Sequence, residues 1–267
     1  MIVGNVGRKA SRDVGNRRPT MEATIGSVFL AAMITAIVTG LGAAPFLFVR
    51  QIRPWWLSIA NGAAAGLMLG ASHNLISEGT KLDPARVLLG ILAGLFAIVV
   101  ANRLIRRRQT VEIADLRGVN GRKALLLLGV MTAHSFAEGL GVGVSFGGGN
   151  ELGVFITTAI AIHNIPEGLA ICLVLIPRGT SVTKASLWSI FTSLPQPLMA
   201  VPAYIFVRMF EPLLPIGLGL AAGAMIWMVF AELIPDALKS ATSGSIGITV
   251  ALAMTALWSL QHFFLSH

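Results

Sequence analysis

Three observations predict an all-α protein that crosses a membrane many times. Of the 267 residues, 55% are hydrophobic and only 12% charged, with mean hydropathy +0.78. A soluble chain is closer to a quarter charged. Apolar stretches of about 20 residues recur from end to end, each long enough to cross the ~30 Å hydrocarbon layer as a helix. The expected fold is an eight-transmembrane-helix bundle with spans near 22–48, 56–79, 86–105, 123–146, 152–176, 183–209, 214–236 and 244–265.

Residues 1–21 precede the first span as a polar tail with Arg8, Lys9, Arg12, Arg17 and Arg18 against the single acid Asp13. They lack the apolar stretch of a secretory signal, and a disordered N-terminal segment is expected. Residues 22–267 form the transmembrane domain. The longest polar connection, "RRRQTVEIADLRGVNGR" at 106–122, reads as a cytoplasmic loop whose plainest role is to anchor orientation.

Eight spans put both termini on one side. The loops after spans 1, 3, 5 and 7 carry twelve Lys and Arg, whereas the opposite loops carry only Lys81, Arg86 and Arg208. Basic loops stay in the cytoplasm, so both termini are expected on the outer side. The basic tail disagrees, and the loops are given more weight because they agree with one another. The formal charge of +8 does not point to nucleic acid, since the basic residues sit between spans without interleaved aromatics. Cys172 is the only cysteine, which rules out an intrachain disulfide or a CxxC metal site. Any bound metal must use His, carboxylate and amide groups.

Such groups occur where lipid should be. Span 5 contains "HNIPEG" (163–168) and span 4 contains "HSFAEG" (134–139). His134 matches His163, Glu138 matches Glu167, and Gly139 matches Gly168, at a separation of 29 residues. Residues i and i+4 share one helix face, so each span offers one imidazole and one carboxylate in the same direction. Ionisable groups inside a membrane are costly and mark a pathway or site. A single His–Glu pair could be a structural hydrogen bond, but two copies at the same spacing point to four ligands around one divalent transition metal. Pro166 removes a helical hydrogen bond from the carbonyl of Ile162. Asn164 and Ser135 follow the two histidines and could orient a ligand or hold a second ion. Gly139, Gly141 and Gly143 allow close helix approach.

These motifs resemble those of the ZIP family of divalent metal transporters, and the likeness covers roughly residues 22–267. The resemblance implies uptake of Zn²⁺, or of Fe²⁺, Mn²⁺ or Cd²⁺, into the cytoplasm as transported substrate rather than cofactor. It implies a dinuclear or near-dinuclear site between spans 4 and 5, completed by span 6. The metal ligands carried over are His134, Glu138, His163, Asn164 and Glu167, with Gln196 of "SLPQPLMA" as the span 6 contribution. Ser135 stands where asparagine is common, and Gln196 where an acid is often found, so the negative charge available to a second ion is lower. Prolines on both sides of Gln196 release the carbonyls of Phe191 and Ser193 and break the helix at membrane depth.

Three further residues are second-site or pathway candidates. In "ASHNLISEG" of span 2, His73 and Glu78 stand five residues apart and point some 140° away from each other. In "FAELIPDALK" of span 7, the resemblance suggests a pathway role for Glu232, while Asp236 reads as a solvated helix-end acid. No phosphate-binding loop is present. The alternative of an intramembrane metal-dependent hydrolase is disfavoured because HxxxE replaces HExxH twice and both glutamates are committed as ligands. The expected partners are a divalent ion and the lipid bilayer, with a homodimer left open, and the expected location is the plasma membrane, with an organelle membrane as the alternative.

Overall fold

The structure is a computed structural model that describes residues 23–49, 52–107 and 119–265. All the elements among these residues are helical. The predicted tail at 1–21 and most of the 106–122 connection lie outside them.

Helix α1 (Ile25–Thr39) opens on a reciprocal cap. Thr24 Oγ1 accepts from the Ser27 amide at 3.1 Å, and Ser27 Oγ accepts from the Thr24 amide at 2.9 Å. It tightens into 3₁₀ turns over Gly40–Leu47. Helix α2 (Pro54–Leu82) and helix α3 (Pro84–Arg107) both start on proline, whose missing N–H costs nothing in a first turn. The Asp83 carboxylate accepts the Arg86 amide at 3.1 Å between them. Helix α4 (Val119–Gly147) ends in a glycine run, where Gly149 takes φ 130°. Helix α5 (Asn150–Leu175) runs through Pro166 and leads to a 3₁₀ turn and left-handed Gly179.

Span 6 is split as expected. Helix α6 (Val182–Ser193) stops, Leu194 intervenes, and helix α7 (Pro195–Met209) begins. The Phe191 carbonyl is not free, contrary to expectation: it accepts the Leu194 amide at 3.3 Å. Helix α8 (Leu214–Met228) widens into a π-turn at Val229–Leu233 and closes with the short helix α9 (Ile234–Ala237). Helix α10 (Ser243–Leu265) is last.

Among the described residues, six segments are long and apolar enough to cross a membrane. α2 and α4, each 29 residues long, are not among the six. At 1.5 Å per residue each reaches about 43 Å.

α4 and α5 pack against each other in the middle. α1 and α2 flank α5, α7 and α8 flank α4, α3 lies on α8, and α10 lies on α2. Close approach comes from missing side chains. A Cβ on Gly168 would meet the Thr39 carbonyl oxygen at 1.8 Å, and one on Gly139 would meet that of Gln196 at 2.4 Å. The apolar core forms two clusters. One contains Met68, Leu75, Ile156, Ile160, Leu218 and Met225; the other contains Phe46, Leu128, Ile171, Cys172 and Leu175. Along α4 and α5 the polar residues 134–138 and 163–167 fall between them.

Candidate metal centre

His134 and Glu138 sit one turn apart on α4, and His163 and Glu167 one turn apart on α5, as the repeated spacing predicts. The two faces meet. Each of the four residues offers a ligand atom, and these atoms lie within 4.8 Å of one another, all on buried residues. A tetrahedral zinc site with ~2.0–2.1 Å bonds needs ligand separations of roughly 3.3 Å, so small side-chain adjustments would close the shell.

Contacts inside the cluster are those of converging ligands. Glu138 Oε1 lies 2.5 Å from His163 Nε2 and 3.5 Å from His134 Nε2. Neither Glu138 Oε1 nor His163 Nε2 is aligned in a hydrogen bond. Among the described residues, eight buried side-chain polar atoms lack a hydrogen-bond partner. Seven belong to His134, Ser135, Glu138, His163, Asn164 and Glu167; the eighth is Thr157 Oγ1. Buried polar atoms are rarely left unpaired, so this concentration fits a cation better than a structural network.

Gln196 reaches the cluster from the first turn of α7. Its Nε2 donates to Glu138 Oε2 at 2.5 Å. Its Oε1 accepts from Asn164 Nδ2 at 3.3 Å and lies 2.5 Å from Thr35 Oγ1 of α1. Glu232 also arrives at the site. The π-turn brings Glu232 Oε2 to 3.8 Å from His134 Nδ1, while Oε1 accepts from Asn102 Nδ2 at 2.5 Å.

The span 2 residues do not join the cluster. His73 is exposed on α2 and makes an edge contact with Trp258 of α10, with ring centroids 5.7 Å apart. Glu78 pairs with Lys81 at 2.6 Å at the end of α2. Asp236 pairs with Lys239 at 2.5 Å on the surface. Thr35 and Asn102 escaped the sequence reading. The signal for Asn102 was a lone amide in the apolar run "IVVANRLI"; Thr35, in "AAMITAIVT", offers none that separates it from a packing residue.

The fold and this cluster define a multi-pass integral membrane protein with a buried His/Glu group suited to a divalent metal. The profile of the ZIP zinc transporter family matches residues 105–258. A protein of Arabidopsis thaliana provisionally named a zinc transporter is 43% identical over 270 residues, covering 99% of this chain. The chain spans only 44% of that relative's length. The zinc transporter GufA of Myxococcus xanthus is 30% identical over 253 residues, covering 86% of this chain and 98% of the relative. The zinc transporter ZIPB of Bordetella bronchiseptica is 31% identical, covering 86% and 79%. The chain belongs to the ZIP zinc transporter family.

Proposed function

We propose that this chain carries divalent zinc across a membrane into the cytoplasm, with His134, Glu138, His163 and Glu167 as the ligands that hold the ion in transit. The observation that carries the reading is the buried four-residue cluster with its unpaired ligand atoms. The relatives' names supply zinc as the leading substrate; the donor set also suits Fe²⁺, Mn²⁺ and Cd²⁺. Two carboxylates offset the charge of one divalent ion stripped of its water. The hydrolase alternative finds no support, since these relatives are named as transporters.

Counting α2 and α4 with the six apolar segments gives eight spans, with both termini on the outer side by the distribution of Lys and Arg. In that orientation the cluster with Met68, Ile156, Leu218 and Met225 lies between the outer surface and the site. Glu232, whose side chain is partly exposed, and Asn102 lead from His134 toward the basic cytoplasmic ends. The ion therefore leaves His134 by way of Glu232. The plasma membrane is the proposed location, and 106–122 the proposed cytoplasmic loop.

The test is radioactive zinc uptake into proteoliposomes holding the full chain. Wild-type protein accumulates zinc and Glu167→Ala does not. Equal uptake by the two would refute the site.

A further inference from the structure

The reading of the His/Glu cluster as a metal site leaves open how many ions it holds. The orientation of Gln196 bears on the number. The Thr35 carbonyl can only accept, and it takes a hydrogen bond from Asn164 Nδ2 at 3.0 Å. That nitrogen can only donate, and its other contact is Gln196 Oε1 at 3.3 Å. Gln196 therefore presents its oxygen toward α1 and α5, and its Nε2 toward Glu138 Oε2 at 2.5 Å. Glu138 is an acceptor, so both ends of the Gln196 amide are fixed by partners whose chemistry allows one direction. All four residues are buried.

An N–H donor pointed at Glu138 Oε2 occupies the space where a second cation would bind that oxygen. The Gln196 oxygen that could ligate an ion faces the other way. Apart from the second oxygen of Glu167, the unpaired oxygens left for another ion are Ser135 Oγ and Asn164 Oδ1, both uncharged; the Glu232 carboxylate faces the Nδ1 edge of His134, whereas Glu138 faces its Nε2 edge. A divalent ion stripped of water needs charged donors to offset the loss of hydration.

We propose that the site holds one divalent ion at a time, with the Gln196 amide standing beside Glu138 in the place a second ion would need. The inference rests on the cluster being a metal site at all, and the experiment separates the two. Full-length protein in detergent is dialysed to saturation with Zn²⁺ and analysed for bound metal, taking Glu167→Ala as background. Wild type binds one ion per chain above that background, and Gln196→Glu, which replaces the donor with an acid, binds two. X-ray absorption at the zinc edge gives a second measurement. A metal–metal distance of about 3.5–4 Å is missing in wild type and present in Gln196→Glu. Two site-dependent ions on wild type, or a folded Gln196→Glu that stays at one, overturns the inference. No binding to wild type removes the metal site itself and this inference with it.

Discussion

Gly139→Ala is a one-methyl perturbation whose effect follows from distances. An added Cβ would lie 2.4 Å from the Gln196 carbonyl oxygen and 2.8 Å from its Cα, and ordinary contact begins near 3.4 Å. Backbone cannot rotate aside as a side-chain tip can, so α4 and the start of α7 must part by about 1 Å. The hydrogen bond from Gln196 to Glu138, now 2.5 Å, would then stretch to about 3.5 Å, where little remains. Losing a partner that orients a metal ligand lowers affinity roughly 10- to 100-fold. Gly141→Ala on the same helix is the matched control. Its Cβ meets nothing nearer than Ala221 Cβ at 3.7 Å, and both variants share the gain of ~1 kcal/mol in helix propensity. Zinc affinity is read by competition with a fluorescent chelator and transport by tracer uptake, on protein that is monodisperse in detergent. Gly139→Ala should lose both while Gly141→Ala keeps both. Equal behaviour of the two variants would refute the claim that the α4–α7 approach positions the site.

Other outcomes follow from the same geometry. Gly168→Ala places a methyl 1.8 Å from the Thr39 carbonyl oxygen and should destabilise the fold by about 3 kcal/mol, read as a lowered melting temperature in detergent. Glu232→Gln keeps an oxygen for Asn102 but removes the charge facing His134. Zinc uptake should fall about tenfold, and unchanged uptake would take Glu232 off the pathway. His73→Ala and Glu78→Gln should transport like wild type, because one residue packs on Trp258 and the other on Lys81. A large loss in either would bring α2 into the path.

The helices and the convergence of His134, Glu138, His163 and Glu167 were legible because both rest on periodicity. Apolar runs of bilayer length announce helices, and the HxxxE spacing places imidazole and carboxylate on one face whatever surrounds them. The outer partners were harder to read. Thr35 is a common type of residue in an apolar helix, and only the packing of α1 against α7 gives its hydroxyl a site neighbour. Asn102 and Glu232 stand 130 residues apart and meet because α3 lies along α8 and the π-turn rotates Glu232 inward. No local pattern encodes such a meeting. His73 stands apart from the cluster for the opposite reason: a histidine in a span is conspicuous, yet this one lies on the face of α2 that meets Trp258 of α10.

Gly139, Gly143 and Gly147 lie four residues apart on α4 and run against Gln196, Ala200 and Val207 of α7. A surface of this kind has few teeth, the Val207 side chain against Gly147 being one. Interlocking side chains hold two helices in axial register, whereas a bare backbone groove resists separation much more than it resists sliding. Along this seam the contact with a direction is the catch at its end, where Gln196 holds Glu138. On the proposed reading, a cargo ion that draws Glu138 toward itself also pulls on the contact that joins the two helices.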